Sequence, residues 1–274
     1  GFSNDITLNR KLFGRIREVY NKKESLGLNT EQEILLKKTY RNFIKGGADL
    51  EDSRRERFRK INEELAPLSL KFEENVLEET NAFFLHIKDS KDLESLPEGI
   101  IESAAEEAAA SGREGWVFTL HFPSYIPFMQ YSARRELREK MYRAYSSRAY
   151  RKPENDNREI VRKMVNLRSE KAKLLGFDNY AGLVLEDRML NSPGKVMDFL
   201  AEMHGRSYEY AKRDFEEVQK FAFVNGHKGD IEKWDWAYYS EKLKRSKFSI
   251  DDEILCPYFK LEKIKKAVFK LAGD

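Results

Sequence analysis

The sequence predicts a mainly α fold: a multi-helix domain with a small hairpin-like sheet inserted into it. Three observations carry that prediction. Apolar residues recur three and four positions apart over most of the chain. Capping patterns and glycine stops divide that periodicity into separate helices. Two short runs, Phe83–Ile87 and Trp116–Phe122, are instead aromatic and β-branched, and they read as a pair of strands.

The elements follow in order. Leu8, Leu12, Ile16, Val19 and Tyr20 recur at helical spacing. Thr30-Glu31-Gln32-Glu33 has the form of a capping box, and the helix it opens should bury Leu35, Thr39 and Phe43 and stop at Gly46-Gly47. Phe58, Ile61, Leu65, Leu68, Phe72 and Val76 then line one stripe of a long helix, which Pro67 inside it is expected to kink. Between the two strands, Pro97 to Ala110 reads as a helix ending at Ser111-Gly112. Ser132 to Arg148 is helical, with Leu137, Met141 and Tyr145 inward. Asn157 is expected to cap a helix that runs to Gly176, with a restart at Asn179-Tyr180-Ala181. Ser192-Pro193 opens a long helix carrying Val196, Phe199, Leu200, Met203, Ala211, Phe215, Val218 and Ala222, closed by Asn225-Gly226. The polar stretch His227 to Asp230 is the expected boundary, and Asp235 is expected to cap a further helix. Leu261, Ile264, Val268 and Leu271 form a last apolar stripe.

Composition bounds the function. The 274 residues are 41% hydrophobic and 12% aromatic, enough for a packed core despite 35% charged residues. Fifty basic against 47 acidic residues leave a net charge of +3, too balanced to signal a polyanion partner. The single cysteine, Cys256, excludes an internal disulfide and fits a reducing compartment; the expected location is cytoplasmic, with a periplasmic or exported one as the alternative. No apolar run approaches the roughly 20 residues of a membrane span.

The chemistry-bearing residues are few. A zinc helix needs two imidazoles four residues apart with a carboxylate beside the first. Four residues after His86, His121, His204 and His227 stand Ser90, Tyr125, Tyr208 and Ile231, so none completes a pair. His86 and His121 fall in the two expected strands, where polar residues on a half-solvated face are the simpler reading. Cys256 precedes Pro257 with no histidine near it in sequence, and there is no Gly-x-Ser-x-Gly elbow, P-loop or dinucleotide fingerprint. Residues 132–152 form a basic run with interleaved tyrosines that could hold a nucleic acid; a solvated helix face is the preferred reading, and no nucleic acid is expected as a partner.

Four segments form an ordered set. Phe118-Thr119-Leu120 is followed by Pro123-Ser124-Tyr125-Ile126-Pro127, then by Arg134, Leu137, Arg138 and Tyr142. Leu174-Leu175-Gly176-Phe177 leads to Asn179-Tyr180-Ala181, and Trp234-Asp235-Trp236 to Tyr238-Tyr239. In this order they resemble the M3 family of zinc oligopeptidases, with the bacterial peptidyl-dipeptidase branch as the nearest pattern. The first segment resembles that family's strand and proline-tyrosine-proline turn.

The resemblance implies a largely helical protein split by a deep channel with zinc at its floor, cleaving short peptides. The family's zinc ligands, two histidines of a His-Glu-x-x-His helix and a later glutamate, have no counterpart here. The chain is therefore expected to be a portion of such an enzyme without the catalytic half, inactive alone, with no catalytic or metal residue and with zinc held elsewhere in the longer protein. On this view 1–226 is a helical channel-wall domain with its small sheet, and 227–274 begins the segment leading into the catalytic domain. The resemblance places Asp235, Tyr238 and Tyr239 near the channel as substrate-binding candidates, against the plainer reading of a helix cap and core rings. Expected partners are short peptides, the catalytic domain, and a second copy docking on the C-terminal helix. The alternative is a stand-alone helical module that binds proteins or peptides without catalysis.

Overall fold

The computed structural model describes residues 2–249 and 255–273; the side chains of residues 2–4 and of Cys256, the weighed thiol, lie outside the described set. In chain order the elements are α1 (Phe2–Thr7), α2 (Arg10–Asn21), α3 (Thr30–Lys45), α4 (Asp52–Ala82), β1 (Phe84–Ile87), α5 (Glu98–Ala110), β2 (Trp116–Thr119), α6 (Phe122–Tyr131), α7 (Arg135–Ser146), α8 (Arg158–Leu174), α9 (Tyr180–Leu185), α10 (Pro193–Val224), α11 (Lys233–Phe248) and α12 (Leu261–Gly273). The fold is mainly α with one two-stranded antiparallel sheet among the described residues. The chain forms two compact units, each drawn from two stretches: residues 1–76 with 152–205, and 77–151 with 206–274.

In the first unit, α2 and α3 pack through rings. Phe13 stacks on Tyr40 at 5.7 Å and on Phe43 at 6.1 Å, and Phe13 and Phe43 are buried. Phe13 is the buried residue of α2, whereas the expected Leu12 and Val19 are exposed. In α3, Phe43 is buried as expected but Leu35 is exposed. The capping box sits one residue earlier than the sequence suggested. Asn29 Oδ1 accepts from the Gln32 amide and Gln32 Oε1 from the Asn29 amide, so Asn29 and not Thr30 is the cap.

Helix α4 runs unbroken through Pro67 and buries Phe58 and Ile61. It is clamped to α8: Arg57 grips the Glu170 carboxylate with two 2.6 Å bonds, Lys171 donates to Asn62 Oδ1 at 2.6 Å, and Arg54 donates to the Leu174 carbonyl at 2.7 Å. Asn157 does not cap α8 through its side chain. That amide accepts from Asn75 Nδ2 and donates to the Phe72 carbonyl, satisfying buried groups of α4, while Asp156 accepts from the Arg158 amide instead.

Helix α8 ends at a Schellman turn. Gly176 has φ +86°, its amide donates to Lys173 O, and the Phe177 amide donates to Ala172 O. Asn179 Oδ1 then accepts from the Gly182 amide and starts α9. Ser192 Oγ accepts from the Lys195 amide and starts α10, with Pro193 at its first position.

In the second unit, β1 and β2 pair with Phe84 opposite Thr119 and Ile87 opposite Trp116. Leu85, Ile87 and Phe118 are buried, and together with Phe128, Met129 and Met141 on α6 and α7 they form part of the main core. Gly115 permits the close entry to β2: a Cβ there would stand 2.5 Å from the Ile87 carbonyl oxygen, and φ is +91°.

The second strand is shorter than expected, since Phe122–Tyr131 is a helix, not a strand end and a proline turn. Pro123 suits the first turn of a helix, where its missing donor costs nothing. Tyr125, Phe128, Met129 and Tyr131 share one buried face, and that burial overrides the lost bond at Pro127. Helix α7 likewise starts at Arg135 and not at Ser132, which caps the end of α6. In α10, only Val218 and Ala222 of the expected stripe are buried; every side chain from 197 to 217 is exposed. Helix α12 buries none of its described side chains.

Candidate functional site

The Trp-Asp-Trp segment opens α11, and its carboxylate is the best-connected charged group in the second unit. Asp235 occupies the third helical position, where Oδ2 accepts from the Glu232 amide at 3.1 Å and the Asp235 amide donates to Glu232 O at 2.8 Å. Arg135 donates through Nε and Nη2 at 2.9–3.0 Å, and Arg138 adds Nη2 to Oδ1 at 2.8 Å. Arg138 is itself buried: Nε donates to the Trp234 carbonyl at 2.9 Å and Nη1 to the Ser132 carbonyl at 2.7 Å.

Aromatic faces close over these cations. The Arg138 guanidinium lies 4.2 Å from the Tyr238 ring centroid, and that of Arg135 lies 5.6 Å from Trp234. Burial is the largest single influence on Asp235 and raises its pKa. The bonds from Arg135, the Glu232 amide and Arg138 together outweigh burial and hold the group below its ordinary 3.8. The same pairing raises the Arg135 pKa.

Asp235 is thus an ionised carboxylate whose oxygens are saturated by protein donors. It fixes α7 against the start of α11, and it has no lone pair directed at solvent, being 0% exposed. Tyr239 is also buried, edge-on to His227 at 5.4 Å and to Tyr238 at 5.1 Å, and burial raises its pKa. Tyr238 is half-buried; its hydroxyl accepts from Lys242 Nζ at 3.3 Å. Of the three substrate-binding candidates, Tyr238 is the one with surface to offer.

The structure adds Arg135 and Arg138 to the trio. A fully buried arginine needs a carboxylate partner, but its position 97 residues from Asp235 left no local signal. Other arginines of the basic run also find protein partners. Arg134 pairs with Asp92 at 2.7 Å, Arg143 with Glu139 at 2.7 Å, and Arg148 donates to Thr80 Oγ1 at 2.8 Å.

The histidines stand apart. His86 Nε2 contacts the Glu114 carbonyl at 2.6 Å, His227 Nε2 the Asp230 carbonyl at 3.2 Å, and His121 lines a cavity of about 240 Å³ beside Glu107 and Ser124. Among the described residues, no three His, Cys, Asp or Glu side chains gather as a metal-ligand group, so these residues do not fit zinc and no hydrolytic step is assigned to them. No described helix is long and apolar enough to cross a membrane.

Comparison with known proteins agrees with this scaffold. The chain is 36% identical over 275 residues to a probable cytosolic oligopeptidase A of Arabidopsis thaliana, covering 94% of this chain and 39% of that protein. It is 34% identical over 264 residues to oligopeptidase A of Salmonella typhimurium, covering 95% and 39%. It is 31% identical over 276 residues to dipeptidyl carboxypeptidase of Escherichia coli, covering 99% and 40%. The peptidyl-dipeptidase branch is therefore represented, and oligopeptidase A is at least as similar. The chain spans about two fifths of the length of these relatives. Residues 128–274 match the model of peptidase family M3, more than half of the chain, and the chain belongs to that family.

Proposed function

We propose that the chain is the non-catalytic portion of an M3 zinc metallopeptidase that hydrolyses short peptides, and that it forms one wall of the substrate channel. The observation that carries this reading is the extent of the match: nearly all of this chain aligns with about two fifths of each relative, while its own sequence contains no His-Glu-x-x-His. Residues 227–274 lead toward the catalytic half, and the exposed apolar faces of α10 and α12 suit packing against it. Zinc supplies an activated water in such enzymes; the ligands for it are assigned outside this chain. Release of C-terminal dipeptides fits the similarity to a dipeptidyl carboxypeptidase. A cytosolic setting fits the name of the plant relative.

The test is turnover of an internally quenched short peptide. The chain alone should show none with or without added zinc. A longer protein that continues past Asp274 into a zinc helix should show cleavage that a chelator abolishes. Chelator-sensitive cleavage by this chain alone would overturn the non-catalytic assignment.

A further inference from the structure

The groove between α4 and α8 in the first unit holds an arginine with no anion. The groove has a volume of about 350 Å³ and is lined by Phe72, Val161, Met164 and Val165 together with Arg168 and Glu73. Arg168 is half-buried, with its guanidinium 5.5 Å from the Tyr180 ring centroid. It makes no hydrogen bond or ion pair among the described residues, and neither does Glu73. One turn further along α8, Lys171 is held below its ordinary pKa, first by burial and then by the Arg168 charge. Along this seam Arg57 grips Glu170, and Lys171 binds Asn62.

A guanidinium 5.5 Å over an aromatic ring, half-shielded from water and bordering apolar surface, is matched by a carboxylate carried on an apolar body. We propose that this groove is a binding site for such a ligand, either a free apolar amino acid or the C-terminal residue of a peptide, with its carboxylate on Arg168 and its side chain against Val161, Met164 and Val165. Glu73 faces the same space and would receive the ammonium of a free amino acid. This site does not depend on the peptidase reading, since it is built from α4, α8 and Tyr180 and uses no catalytic group.

The test is a methyl NMR titration of the full 274-residue chain. N-acetyl-leucine should shift the Val161, Met164 and Val165 methyl signals, while N-acetyl-leucinamide, the same shape without charge, should not. Arg168→Gln should weaken N-acetyl-leucine binding about tenfold or more. Free leucine separates the two sources: tighter binding than N-acetyl-leucine, lost in Glu73→Gln, identifies a free amino acid, and weaker binding identifies a peptide end. An equal response to acid and amide on the unaltered chain, or unchanged binding in Arg168→Gln, would overturn the proposal.

Discussion

Arg138 and Asp235 stand 97 residues apart in sequence and meet at 2.8 Å with both side chains buried. Their pairing converts a kinship motif, Trp-Asp-Trp, into a physical joint between α7 and α11. Removing one partner leaves the other charged and unsolvated. Asp235→Asn is therefore expected to destabilise the second unit by about 3–5 kcal/mol, whereas Asp235→Leu combined with Arg138→Met should recover much of that loss. Urea unfolding of the three chains measures both.

The acid limb of stability follows from the same carboxylate. Its folded pKa lies below the ordinary 3.8, so its contribution is present above that value and disappears as pH falls through the folded pKa. The unfolding midpoint should drop steeply below about pH 4. Asp235→Asn should flatten that drop, which thermal melts from pH 5 to pH 2.5 would reveal.

Tyr125 sets a matching alkaline limb. It stacks on Tyr145 at 4.1 Å, and burial, followed by its tyrosine neighbours, pushes its pKa to about 12. The folded value is raised, so the stability it lends is complete below the unfolded pKa near 10 and is lost as pH climbs toward 12. Tyr125→Phe should reduce the loss of stability between those values, read by circular dichroism at increasing pH.

Gly115 is the tightest backbone approach to the sheet. Gly115→Ala places a methyl 2.5 Å from the Ile87 carbonyl oxygen at a left-handed φ, and should cost on the order of 1–3 kcal/mol. Gly112→Ala is the comparison, since a Cβ there meets nothing within 4 Å although φ is +67°. The difference in urea midpoint between the two isolates the clash.

The restart after Gly176 rests on one side chain. Asn179→Ala removes the acceptor for the Gly182 amide and should cost about 1 kcal/mol. Amide exchange at Gly182 should quicken, while exchange deep in α8 stays as it was.

The parts of the fold read correctly from sequence are those fixed locally. The glycine stop at Gly176, the Asn179 cap and the Ser192-Pro193 start each depend on residues within a few positions. Errors arise where distant packing decides. Helix α6 hides behind two prolines because its reason to be helical is the core that Tyr125 and Phe128 enter. Asn157 looks like a cap and instead serves Asn75 and Phe72, 82 and 85 residues away. In the candidate site, Asp235, Tyr238 and Tyr239 were visible as a motif. That two of them are buried, and that Arg135, the Glu232 amide and Arg138 together keep Asp235 ionised there, requires the tertiary structure.

The sequence distance across the Arg138–Asp235 joint also orders events at the ribosome. At about 5–20 residues per second, roughly 5–20 s pass between the synthesis of Arg138 and that of its carboxylate. Through that interval α7 carries an unpaired guanidinium that water solvates well and a closed core would not. Burial of Arg138 is therefore unfavourable until Asp235 is present to pair with it.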